Sequence, residues 1–435
     1  MMKQIKRVLL IGLFLLIAAL IVIFAIPSLR ERAINRLDGL KAQIKYMIDP
    51  PGEAVFTPGD QVAIAVQQTI MAYGATQTAA AMPTATPLSS TPQATSIPTI
   101  TPTPLPAVVK LDGIRFQSQR GMWNYCAPAN LAMALSYWGW EGDKLDVGKV
   151  VKPYSKDKNV MPYEMQIYAE ENANLKAVVR VGGDLQTIKK FISAGYPVIV
   201  EKSEVLHGEY GAGSEGWMGH YMVFNGYDDS TQTLVGQDSL RGADQSVPYA
   251  GLEDDWRGFN YVYIVIYPPA DESKIMDLLG DQADEKANYE YGALKASNEV
   301  MGLSDRDQFF AYYNRGTNLI ALQDYGGAAA AYDAAFAVYV NIPVDDRPYR
   351  ALWYQTGPYY AYYFTQRYWD VIDLATTTLD NMSEPILEES YYWRARAYYA
   401  LGDVTNAEKD LRMALKYHAG FGPALDLLQQ MGIEA

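Results

Sequence analysis

Hydrophobic and polar positions change rhythm several times along the 435-residue chain. Lys3, Lys6 and Arg7 precede an uncharged apolar run from Val8 to Ile26. In helix this run just crosses a bilayer core of about 30 Å. It lacks the small-x-small site of a cleaved signal, since Ala25-Ile26-Pro27 fits that pattern poorly. The expectation is a cytoplasmic N-terminus over 1–7 and an uncleaved transmembrane anchor over 8–27. Residues 28–81 read as a juxtamembrane helical and polar segment, with Gln61–Ala81 a weak Ala/Gln-rich helix. Residues 82–107 form a Thr/Pro/Ser tract that cannot bury a core and is expected to be a disordered, polyproline-like linker. At ~3 Å per residue such a tract could hold a domain on the order of 70 Å from a membrane.

From 108 to 269 the rhythm is that of a folded domain. Leu131, Ala134, Leu135 and Trp138 fall at i, i+3, i+4 and i+7, the spacing of an amphipathic helix with one buried face. Pro128 belongs to a helix's first turn, which sets the start near Ala127, and Gly139 ends it. Helical patterns recur near Lys144–Val151, Pro162–Asn172 and Leu185–Ala194. Strand patterns lie at Lys176–Arg180, Tyr196–Glu201, Gly219–Tyr227, Leu234–Asp238 and Tyr261–Tyr267. Helices first and strands second predict an α+β domain with a mostly antiparallel sheet.

The remainder, 270–435, is helical and rich in tyrosine. Tyr312-Tyr313-Asn314-Arg315-Gly316 with Asp324-Tyr325-Gly326-Gly327-Ala328, and Trp393–Asp403 with Ala407, Leu411 and Ala414, resemble tetratricopeptide units. Tyr368, Val371 and Ala375 mark a degenerate copy between them. The steps from Ala328 to Val371 and on to Ala407 are 43 and 36 residues, near the usual unit of about 34 with inserts. An all-α tetratricopeptide solenoid able to bind a protein partner is expected.

A net charge of −14 excludes the basic face that nucleic-acid binding needs. No paired Cys-x-x-Cys, His-Glu-x-x-His or phosphate-cradling Gly-rich loop is present, so no cofactor or metal is expected. The single cysteine, Cys126, rules out an intrachain disulfide. It falls at a helix start, where free N–H groups and the helix dipole favour a thiolate. On the residue alone it can equally be a small buried hydrophobe.

A thiol nucleophile needs an imidazole to take its proton and an acceptor to fix the imidazole's tautomer. Of three histidines, His207 lies in a Gly-rich loop (Gly208–Gly219, a candidate lip over a cleft) and His418 ends a helix. Both read as surface residues. His220 starts a strand, and Asp228-Asp229-Ser230-Thr231 is turn chemistry before the next strand. A hairpin centred near residue 229 places Asp238 opposite His220. A hydrogen-bonded structural pair would have the same geometry.

The stretches Cys-Ala-Pro-Ala-Asn-Leu-Ala-Met, Gly-His-Tyr-Met-Val-Phe-Asn-Gly-Tyr-Asp-Asp and Val-Gly-Gln-Asp-Ser together resemble the bacteriocin-processing cysteine peptidase family of the papain-like clan. The likeness covers about 110–268. It implies Cys126 as nucleophile, His220 as base, Asp238 as orienting acid, and a Gln ahead of the Cys that completes the oxyanion hole. Gln119 is the best match for that Gln, with Gln117 the rival. Ala127 stands where the family usually has Gly, and Gln119 is one position further from the Cys than usual. No counterpart of the family's fused transporter is seen, so its double-glycine substrate does not carry over. The expected protein is a membrane-anchored, outward-facing, papain-like cysteine hydrolase acting on a peptide or protein. Two alternatives are a surface scaffold built on the repeats and an acyl transferase using the same triad.

Overall fold

The computed structural model describes residues 14, 22, 23, 25–52, 55–59, 104–122, 124–154, 157–206 and 216–434. The expected membrane span lies almost entirely outside these residues. So do the weak helix Gln61–Ala81, His207 and most of the Gly-rich lip. Among the described residues no helix is long and apolar enough to cross a membrane.

The first element is helix α1, Pro27–Ile48, with Pro27 in its first turn where the missing N–H costs nothing. The central domain then runs β1 (Val108–Lys110), α2 (Cys126–Tyr137), α3 (Lys144–Val151), α4 (Pro162–Asn172), β2 (Lys176–Arg180), α5 (Leu185–Ser193), β3 (Val198–Leu206), β4 (Gly216–Asp228), β5 (Thr233–Asp238), β6 (Gly242–Pro248), α6 (Leu252–Arg257) and β7 (Tyr263–Tyr267). The strands form one sheet in the order β2-β7-β3-β4-β5-β6, with β1 added against the end of β4. Every described pairing is antiparallel, as the order of elements predicts. Strand β6 carries no alternating pattern and was not legible. Gly216 and Gly219, expected in a flexible lip, are strand residues of β4 paired with Leu206 and Ser203.

Helix α2 departs from its expected amphipathic form. Residues 127–136 are buried without a break, because one side packs on Tyr221, Val223, Ile199 and Ile264 of the sheet and the other meets Val147, Val151 and Met165 of α3 and α4. A helix buried all round needs no polar stripe. Its end is as expected: Gly139 takes a φ of +82°, which closes the helix at little strain.

A helical region follows: α7 (Glu272–Leu279), α8 (Glu285–Glu299), α9 (Asp305–Ala321), α10 (Tyr325–Tyr339), α11 (Ala351–Tyr354), α12 (Gly357–Phe364), α13 (Tyr368–Asp380), α14 (Glu388–Ala400), α15 (Val404–Tyr417) and α16 (Gly422–Gln430). The stretches that resemble repeat units lie on the pair α9/α10, on α13 and on the pair α14/α15. Small residues let the paired helices close: a Cβ on Gly316 would sit within 2.7–2.9 Å of the Tyr332 ring. Arg394 crosses from α14 to α15 and grips Asp410 through two hydrogen bonds of 2.7 and 2.8 Å.

The two regions are not separate bodies. Trp217 and Phe259 of the α+β domain stack at 5.4 Å, and Trp217 meets Phe310 of α9 at 5.2 Å and Tyr354 of α11 at 5.9 Å. These rings belong to one continuous core that also holds Tyr313, Tyr332 and Phe336. The amides of Asn260 and Asn318 exchange hydrogen bonds across the same seam.

The described residues of the N-terminal segment also pack on this body. Lys45 of α1 donates to the carbonyls of Asp380 and Met382, the latter at 2.7 Å. Arg347 donates to the Gly52 carbonyl at 2.6 Å, Phe56 is buried against Phe336 and Tyr362, and the Gly59 N–H bonds Asp370. At the far end of the tract, the Tyr227 hydroxyl bonds the Pro106 carbonyl and the Asp229 N–H bonds that of Ala107. The linker expected over 82–107 lies almost entirely outside the described residues.

Candidate active site

Strand β4 brings His220 to the first residue of α2. His220 Nε2 lies 3.0 Å from Asp238 Oδ1, and both side chains are almost fully buried. The approach differs from the expected hairpin arithmetic. The turn holds four residues, Asp229–Gln232, and a bulge interrupts the ladder between Phe224 and Gly226. Val223 pairs with Gln237, which sets Asp238 level with Met222, two positions from His220. A shift of two keeps a side chain on the same face, so the two meet diagonally and not head-on.

Asp238 is fixed from behind as well. Its Oδ1 accepts from the N–H groups of Leu240 at 2.8 Å and Arg241 at 3.0 Å. Burial alone would raise its pKa, but the His220 charge, the His220 hydrogen bond and these two N–H groups hold it far below the usual carboxylate range. Burial would likewise discharge His220; Asp238 overrides this and raises the imidazole to about 9.

Cys126, the first residue of α2, lines the same cleft as His220. Burial pushes the thiol up, while the His220 hydrogen bond and charge, with the N–H groups of Tyr221 and Ala127, bring it below an ordinary thiol. Cys126 remains partly exposed. Asp238, His220 and Cys126 thus bear on one another's protonation, the carboxyl and the thiol drawn down and the imidazole up.

Gln119 and Gln117 separate cleanly. Gln117 Oε1 accepts from the Lys144 N–H at the start of α3, away from the cysteine. Gln119 lines the cleft in front of Cys126. Its N–H bonds the Ser239 carbonyl at 2.8 Å and its Oε1 accepts from the Ser239 hydroxyl at 2.6 Å. Holding the oxygen end leaves the amide N–H₂ for the cleft.

Two supporting residues were missed in the sequence reading. Asn130, buried one turn after Cys126, donates to the carbonyls of Cys126 (2.9 Å) and Tyr221 (2.8 Å) and reaches Ser239 Oγ at 3.1 Å. Asn130 and Ser239 therefore tie α2, the His220 strand and Gln119 together. The available signal was position: one follows the cysteine by four, the other follows Asp238 directly. His418, expected at the surface, is half-buried, bonded to Glu388 at 2.8 Å and packed on Tyr154.

The cleft encloses about 180 Å³. Glu201 also lines it, and burial raises this carboxyl well above its usual range. Glu204, beside it, accepts from Arg241 and Lys202. Burial works against its charge, and the two cations bring it down to about 2. Among the described residues no cluster of His, Cys, Asp or Glu is placed to hold a metal ion.

Residues 110–264 match the profile of the peptidase C39-like family. This supports a papain-like cysteine peptidase domain in that segment, and a hydrolase acting on peptide bonds. A crystal structure of a protein from Bacillus anthracis, provisionally described as a C39-like peptidase, shares 20% identity, covering 37% of this chain and 96% of that one, at a TM-score of 0.31. No curated protein matches the sequence.

Proposed function

We propose that the chain is a membrane-anchored cysteine peptidase in which Cys126, His220 and Asp238 form the catalytic triad and Gln119 completes the oxyanion hole. The observation that carries this is the His220–Asp238 pair at 3.0 Å, with His220 lining the same cleft as a thiol at a helix start. The Cys126 thiolate adds to the carbonyl carbon of a peptide bond, and the displaced electron pair goes to the carbonyl oxygen. That oxyanion is met by the Gln119 amide and the N–H groups at the start of α2. Collapse breaks the C–N bond as the His220 imidazolium gives its proton to the leaving amine. His220, now neutral, takes a proton from water, and the resulting hydroxide cleaves the thioester and returns Cys126.

The His220→Ala and Cys126→Ala proteins should each lose peptide cleavage, His220→Ala by roughly 10²–10⁴-fold, read by mass spectrometry of a peptide library. Retained cleavage in either would remove this reading.

The apolar run Val8–Ile26 supports anchoring, with the folded body outside the cytoplasm and close to the bilayer, since α1 follows the run directly. The paired helices after residue 305 support a tetratricopeptide-type role in holding a protein partner. Protease added to intact cells should cut within Met82–Pro106. Protection of that tract until lysis would place the body in the cytoplasm.

A further inference from the structure

The cleft before Cys126 has walls from three parts of the chain, and the segment matched as a peptidase supplies only one. The helical region contributes Trp353 and Glu384, and α1 lays Asp38, Gly39, Ala42 and Tyr46 along the same space as Cys126 and His220. Ala42 is 8% exposed on a helix that is otherwise largely open to solvent. Helix α1 is pinned where it crosses: Lys45 holds the Asp380 and Met382 carbonyls, the Ser383 N–H donates to the Tyr46 hydroxyl at 3.3 Å, and the Tyr46 ring meets Tyr349 edge to face. The enclosed space, about 180 Å³, is smaller than the roughly 300–1,000 Å³ common for ligand sites.

We propose that α1 is a roof over the catalytic cleft and restricts its substrates to unfolded peptide segments or chain ends that thread beneath it, excluding loops of folded proteins. This rests on the peptidase reading and adds its substrate class. A single extended chain is narrow enough to pass under a helix. A loop on a folded body brings a second strand and the body itself, and a helix with its side chains is about 10 Å across and stands where that bulk must go. Lys45 lies outside the cleft lining, so it can be changed without touching the catalytic groups.

The test uses the full chain in detergent, a fluorogenic library of short unstructured peptides, and the best library sequence grafted into an exposed loop of a rigid carrier protein. The wild type should cleave the free peptide at least 100-fold more efficiently than the graft. Lys45→Ala, which frees α1 from the Asp380 and Met382 carbonyls, should raise cleavage of the graft at least tenfold and narrow that gap. Its melting temperature and its rate of Cys126 alkylation by iodoacetamide should match the wild type, showing an intact fold and site. Equal efficiency on free and grafted sequences in the wild type would overturn the roof, as would a gap that Lys45→Ala leaves unchanged. Failure to cleave any peptide while Cys126 still alkylates rapidly would instead sink the peptidase reading, and the substrate class with it.

Discussion

At the scale of single residues, the site is an electrostatic arrangement that buried groups enforce on one another. His220 is raised from 6.5 to about 9 and Cys126 is lowered from its ordinary value of 9.0, the directions that favour an imidazolium beside a thiolate. A raised histidine contributes stability that is complete below about 6.5 and is lost as pH climbs through about 9. Asp238, being depressed, contributes above its ordinary value of 3.8 and fails only in strong acid. Peptide cleavage, expressed as kcat/KM, should therefore hold a plateau through neutral pH and fall as His220 deprotonates near pH 9. Alkylation of Cys126 by iodoacetamide should be fast at pH 7 in the native protein. In His220→Ala it should need a pH at or above the ordinary thiol value of 9.0. Native labelling no faster than that of the unfolded chain would mark Cys126 as an inert core thiol.

At the scale of elements, much of the site was legible because helix starts and strand alternation are local signals. Pro128 and Gly139 bracket α2, and the β-branched and aromatic residues after Gly219 announce β4. The turn length and the bulge at Phe224–Gly226 were not legible, yet the error they caused was even-numbered and left Asp238 on the correct face. Asn130 and Ser239 escaped because a buried amide inside a helix has no periodic signature; its meaning comes from the Tyr221 carbonyl and the Ser239 hydroxyl, about a hundred positions away. Strand β4 also depends on what lies beyond it. A Cβ on Gly219 would come within 2.6 Å of Phe259 and 3.2 Å of Tyr354. Gly219→Ala should therefore destabilise by about 1–3 kcal/mol and lower activity by moving its neighbour His220. A melt at the wild-type temperature with full activity would show that the rings yield freely.

At the scale of the whole molecule, the catalytic and helical regions share one core through Trp217, Phe259, Phe310 and Tyr354. No sequence pattern announces such a seam, since each ring is plausible core for its own region. Residues 108–269 expressed alone should expose Trp217, Phe259 and Val262 and should be recovered as aggregate, while the full chain melts in one transition. Two resolved transitions by calorimetry would show independent domains. Trp217→Ala should cost about 3–5 kcal/mol, with both regions unfolding together.

The described residues on either side of 60–103 pack on the same body, Phe56 and Gly59 before it and Pro106 and Ala107 after it. Joining two fixed ends through a longer chain costs only about 0.6 kcal/mol per doubling in closure entropy, so a variant with residues 60–103 doubled should melt close to the wild-type temperature. A chain cut once between residues 60 and 103 should stay clasped through Lys45, Arg347 and Phe56 and elute as one species on gel filtration.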